Sequence, residues 1–322
     1  TIGQHATPNN FTHNAWVSND GNYVFTTDEQ SDAYLAAYDI SNINNIQEVD
    51  RIQSNPGSNS IPHNTHVDGN FLITSYYRDG TIVHDITYPN HMVQVAYYDS
   101  YADSGNGFNG CWGTYPFLSS GNIISSDRDS YNGKGILNIY GRAFQQACHL
   151  MGTVKDAING NNLASANISI LSISTTTSTN IIGDYQTAVV DSGTYQVVFS
   201  KNGYIPDTLS ILLDNGIMTI LNAQLYPIGS GCTDPLSCNY DSLATINDSS
   251  CIYPIIWQQA FSICDGDSVV VGNSVYDTTG NYSDTLNAAN GCDSILYTNI
   301  SIIPPIIWQQ AFSICDGDSV VV

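Results

Sequence analysis

The residues best equipped for chemistry are imidazoles and carboxylates in the first half of the chain. All seven histidines lie between His5 and His149, so any imidazole chemistry belongs there. His13 opens HNAWV (13–17) and His63 opens HNTHV (63–67), equivalent places in two similar segments. If each opens the innermost strand of its unit, both rings turn toward a shared channel with room for a metal or a polar ligand. Asp28, Glu29 and Asp127 follow strand-like runs and supply carboxylates. In the competing reading, these His and Asn side chains bond to backbone groups and lock neighbouring units together. His63 and His66 are three residues apart and face opposite sides of a strand, a poor chelating pair unless the backbone turns there.

A second donor set lies further along, where Asp234, Asn239, Asp241, Asn247 and Asp248 place hard oxygens in a Cys-bounded loop. Calcium favours such ligands and tolerates irregular geometry, which makes it the expected cofactor if there is one. The spacing is not that of an EF-hand, and Asx residues also cap turns for local reasons. No G-x-S-x-G elbow, H-E-x-x-H helix, P-loop or G-x-G-x-x-G fingerprint occurs, so the expectation is a non-enzyme with no catalytic residues.

Eight cysteines, most of them near Gly, Asp and Ser, point to disulfides and an oxidising compartment, and no C-x-x-C pair suggests zinc or thiol redox chemistry. Cys264 and Cys292 flank one small module and are the expected disulfide. Cys111 and Cys148 either pair or stay buried and free. Seven basic against 29 acidic residues give a net charge of −22, with Lys201 the last basic residue. Phosphate binding needs Lys and Arg, so nucleic acid is excluded as a partner, as is an anionic membrane surface. No apolar run is long enough to span a bilayer. The sequence begins at Thr1 rather than Met, so the expectation is that a signal peptide lies outside it.

The elements that must position these residues are strands. Abundant Asn, Ser, Thr and Gly with 21 Tyr favour short strands and turns, hence an all-β chain of several domains. PIIWQQAFSICDGDSVVV occurs at 254–271 and again at 305–322, which marks an array of small modules. Trp257 and Trp308 within it are expected to pack at module boundaries. In the first 140 residues HNAWV and HNTHV are each followed by strand-like runs, NYVFTTDE and NFLITSYY, then AYDI and VHDI. A more diverged third unit reads CWGTYPF, NIISSD and ILNIY. Such units are what propeller blades look like, and three of them make a partial β-propeller whose other blades are expected upstream.

The HN-x-W-V, TTDE, HNTHV and CWG-x-YPF segments resemble the LVIVD-repeat or choice-of-anchor B type of secreted bacterial β-propeller, over 1–147. GTVKD, GDY, SGTY and FSKNGY, within 148–228, resemble a carboxypeptidase regulatory-like domain, a transthyretin-like sandwich that is not itself catalytic. GCTDPLSCNYDSLATINDSSC, within 229–253, resembles a Cys-bounded segment of secreted Bacteroidetes proteins. The module at 254–304, with a truncated second copy at 305–322, resembles surface-adhesin repeats of the same bacteria. The resemblance implies secretion to the cell surface by type IX export, with a C-terminal sorting domain expected beyond Val322. The expected function is a binding or adhesion scaffold with an unknown surface glycan or protein ligand. The rival is a propeller enzyme with a metal on His13, His63 and carboxylates.

Overall fold

The computed structural model describes residues 2–321 apart from 104, 174, 289 and 290, and its regular structure is strand save for one 3-10 turn at Tyr77–Asp79. Two bodies are distinguished, residues 1–225 and 226–322.

In the first body, apolar alternation and Gly- or Asn-bearing turns fold the chain into successive antiparallel meanders. The first comprises β1 (Thr12–Val17), β2 (Tyr23–Asp28), β3 (Leu35–Asp39) and β4 (Gln47–Ile52). The second comprises β5 (Pro62–Asp68), β6 (Phe71–Tyr76), β7 (Gly80–Asp85) and β8 (Val93–Tyr98). The third has three strands, β9 (Gly110–Tyr115), β10 (Ile123–Tyr131) and β11 (Lys134–Tyr140). Adjacent residues of β6 point to opposite faces. Leu72 packs with Phe25, Leu35 and Ala37 of the first meander, while its neighbour Ile73 packs with Ile123 of the third. The second meander is therefore buried on both faces. Among the described residues, none of the sheets closes on itself.

The pairing of first and second strand carries a β-bulge at the same place in all three meanders. His13 and Asn14 oppose Thr27, His63 and Asn64 oppose Ser75, and Trp112 and Gly113 oppose Ser126. A bulge bends its strand and re-aims a side chain.

A β-sandwich follows. One layer holds β12 (Cys148–Asp156), β15 (Asp184–Val189), β18 (Met218–Ile220) and β19 (Ala223–Leu225). The other orders β14 (Thr175–Ser178), β13 (Asn167–Ile170), β16 (Gly193–Ser200) and β17 (Asp207–Leu213). Leu150, Val154, Ile168, Val197, Phe199 and Leu213 fill the space between them.

The second body begins with a short parallel pair, β20 (Ser230–Gly231) and β21 (Ile246–Asn247). Next come β22 (Ile256–Cys264), a hairpin of β23 (Val269–Val271) and β24 (Ser274–Tyr276), then β25 (Gly280–Leu286) and β26 (Ser294–Ile303), with β22 and β25 flanking β26. Disulfides join Cys232 to Cys251 and Cys238 to Cys292.

The expected Cys264–Cys292 bond is thus corrected. β22 runs parallel to β26, with Ile256 opposite Ile295 and Cys264 opposite Ile303. Cys292 precedes the start of β26 and Cys264 lies beside its end, on the order of 30 Å away at strand rise, where a disulfide needs its Cα atoms within about 7 Å. Cys264 is exposed and free, and Cys111 and Cys148 are buried and unpaired, the second of their two alternatives. Trp257 and Trp308, expected to pack at boundaries, are 65% and 89% exposed.

Candidate functional site

The bulges bring His13, Glu29 and His63 together. One ligand atom from each lies within 4.8 Å of the others, the one such trio of His, Cys, Asp and Glu among the described residues. His13 Nδ1 is 3.1 Å from Glu29 Oε2, and His63 Nε2 is 3.6 Å from Glu29 Oε1. The imidazoles stack at 4.4 Å between centroids, and Trp112 continues the stack 5.4 Å from His63. The three rings come from the three bulges.

Glu29, Tyr77 and Arg128 also occupy equivalent places, each following the residue that pairs with Thr12, Pro62 or Cys111. The Tyr77 hydroxyl donates to Glu29 Oε1 at 2.6 Å. Burial first, and Glu29 second, push the Tyr77 phenol well above its usual range, so it stays a donor.

His63 Nδ1 lies 2.5 Å from the Trp112 carbonyl oxygen, with the Asn64 amide at 2.9 Å from the same nitrogen. A carbonyl only accepts, and the shorter contact decides: Nδ1 carries the proton and Nε2 turns its lone pair toward Glu29. Burial pushes this imidazole below its usual range, opposed by the Trp112 carbonyl and Glu29, so the ring is neutral near pH 7. The His63 side chain is 5% exposed, that of Glu29 18% and that of His13 33%, so the trio opens to solvent on the His13 side.

The backbone-locking role is present beside this cluster. Asn14 Oδ1 accepts from the Thr65 N–H at 3.0 Å, and the Thr27 hydroxyl donates to the His63 carbonyl. At the equivalent place, Ser75 Oγ donates to the Trp112 carbonyl at 3.4 Å.

Asp28 and Asp127 do not join the trio. Asp28 precedes Glu29 and so faces the other way, buried and accepting the Asn9 N–H at 2.6 Å. Asp127 accepts from the Ser125 hydroxyl at 3.0 Å, and Ser125 lies 3.1 Å from the Cys111 sulfur. Burial pushes the Cys111 thiol up to about 12, too high for a nucleophilic thiolate. Asp127 also lines a cavity of about 440 Å³ with Trp112, Ser126, Arg128, Asp129 and Gly135. Sequence reasoning missed Trp112 and Tyr77. Trp112 stands in the CWG-x-YPF segment where the first two units have His, and that one-position equivalence is the signal that could have found it.

A further imidazole group lies between the second meander and the sandwich. His149 Nε2 is 3.0 Å from Asp85 Oδ2, and His91 Nδ1 is 3.2 Å from His149 Nδ1. Asp85 also accepts from the backbone N–H groups of Thr87 and Ala147 at 2.9 and 2.8 Å. Asp85 and His149 are fully buried, which leaves no path to a substrate.

In the Cys-bounded loop, four of the five Asx side chains cap the backbone two residues on, and Asn239 reaches across to Ile252. Asp234 Oδ1 accepts from the Leu236 N–H, Asn239 Oδ1 from Ile252, Asp241 Oδ1 from Leu243, Asn247 Oδ1 from Ser249 and Asp248 Oδ1 from Ser250. Asp234, Asp241 and Asp248 do not gather into a trio.

The chain is similar to Structural protein 27 of a virus (isolate Australia/Victoria), 25% identical over 93% of this chain; it spans 66% of that relative's length. Among solved structures, the Streptococcus agalactiae minor pilin GBS52 is 10% identical over 35% of this chain and 63% of its own, at a TM-score of 0.23. The group B streptococcus pilus 2b backbone protein is 11% identical over 69% and 83%, also at 0.23. A putative 6-phosphogluconolactonase from Bacteroides fragilis is 13% identical over 63% and 57%, at 0.27. Scores this low carry no argument. Residues 149–226, which form the sandwich, match the carboxypeptidase regulatory-like domain, and that domain is the part of the chain whose family is identified.

Proposed function

We propose that this chain is a non-catalytic, extracellular multi-module protein for binding and display, in which the meanders are blades of a β-propeller, the sandwich is a spacer and the disulfide-bonded modules form a stalk. The observation that carries this reading is the thrice-repeated bulge. It sets His13, His63 and Trp112 in a row on one edge, with Trp112 52% exposed above an open cavity. An exposed indole beside polar side chains suits stacking on a sugar ring or an aromatic side chain of a surface ligand. Two disulfides support an oxidising, extracellular setting. The similarity to a protein described as structural accords with a role other than catalysis. No helix among the described residues is long and apolar enough to cross a membrane. The test is an array of surface glycans and proteins probed with the purified chain, alongside a panel of hydrolase substrates. Saturable binding that Trp112→Ala weakens supports the reading; turnover that His13→Ala abolishes would replace it with the enzyme reading.

A further inference from the structure

We propose that His13, Glu29 and His63 form a site for a first-row divalent transition metal, held by two imidazole nitrogens and one carboxylate, with a position left open to solvent. The donors fit such an ion: imidazole suits zinc, copper, iron and nickel, and a single carboxylate among two imidazoles is too few oxygens for calcium.

The spacing fits as well. Two donors about 2.0 Å from a tetrahedral zinc lie about 3.3 Å apart. His13 Nδ1 lies 3.1 Å from Glu29 Oε2 and His63 Nε2 3.6 Å from Glu29 Oε1, so each imidazole faces one oxygen of the carboxylate at a distance close to that value. The longer one is too long for an N–H···O hydrogen bond, so direct pairing does not account for the approach of His63 to Glu29.

The surroundings are those of a metal-binding imidazole and carboxylate. The Trp112 carbonyl holds the His63 Nδ1 proton and presents Nε2, and Tyr77 donates to Glu29. Such outer partners fix tautomer and orientation in metal centres. The exposed side of His13 provides the entry path.

The site also joins two blades. His13 and Glu29 come from the first meander and His63 from the second, so a bound ion clasps the two together. In the third meander Trp112 and Arg128 occupy the corresponding places, neither of which ligates metal, so the clasp is confined to the first pair.

The test uses the full chain without an affinity tag, stripped with chelator and dialysed. Zinc is titrated by calorimetry, and cobalt binding is followed by visible absorption. The expected result is one equivalent of zinc, cobalt bands of a four- or five-coordinate site, and a rise in melting temperature on adding zinc. Glu29→Gln and His63→Ala each weaken zinc binding at least tenfold. His13→Ala, at the most exposed of the three ligands, does the same. His5→Ala and His91→Ala leave binding unchanged. Absence of zinc binding by the folded chain, or binding retained in the His13→Ala/His63→Ala double variant, overturns the proposal. Because the readout is the metal itself, it stands or falls independently of the surface ligand.

Discussion

Two histidines, His84 buried and His91 half-buried, contribute to how the protein responds to acid. His84 is fully buried with its imidazole pushed down to about 3, and burial brings His91 down to about 4. In the unfolded chain both take up a proton near pH 6.5. Between those values the unfolded state binds more protons, so stability falls as pH falls from about 6.5 toward 4. Calorimetric melting temperature should therefore drop across that interval, and His91→Gln should flatten the slope. A flat profile would contradict this account. Asp85 acts lower on the scale. Burial raises its carboxyl, but hydrogen bonds from His149, Thr87 and Ala147 outweigh burial and hold it below its usual value. Its contribution is present above the unfolded carboxylate pKa and is lost only as pH falls through its own lowered one. Asp85→Asn leaves His149 buried without its charged acceptor, and urea denaturation should show a loss of about 3 kcal/mol.

At the scale of elements, the bulges and the disulfides carry the consequences. Gly110 enters β9 two residues before Trp112 with φ +87°, and an added Cβ would lie 2.2 Å from the Tyr77 carbonyl oxygen. Gly110→Ala must push the third meander away from Tyr77. It should lower stability by about 3 kcal/mol and disturb the stack, readable as a change in Trp fluorescence. In the second body Cys238–Cys292 closes 54 residues of chain. Chain entropy values that closure at about 4 kcal/mol. Cys292→Ser should unfold the body by that much more easily, whereas Cys264→Ser should change nothing. Non-reducing peptide mapping that recovered a Cys264–Cys292 peptide would refute the pairing.

For the molecule as a whole, the strand class and the repeated units could be read in the sequence, because period-two alternation and the HNAWV/HNTHV pair are local signals. The meeting of His13 with His63 and Glu29 was foreshadowed by residue type and by position in the repeat. The separation of Asp28 from Glu29 was not, since adjacent strand residues look alike in composition and differ only in the face they occupy. Trp112 and Tyr77 stayed hidden because a bulge shifts register by one residue, and register is a property of pairing. The disulfide was misassigned for a related reason. Cys292 finds Cys238 through the return of the chain beside β26, which no spacing reveals. The duplicated segment makes the same point: Ile256–Cys264 is a strand where β26 pairs with it, and the identical residues 307–315 form none. Strand formation here follows the partner more than the propensity.

On this account the edge bearing His13, His63 and Trp112 binds a surface ligand without transforming it. The most direct test is the dissociation constant of the full chain and of Trp112→Ala for the strongest ligand from the glycan and protein array, with that ligand analysed chemically after prolonged incubation. The expected result is at least a tenfold loss of affinity at unchanged melting temperature, and a ligand recovered intact. Equal affinity in the variant, or a ligand recovered cleaved, would contradict it.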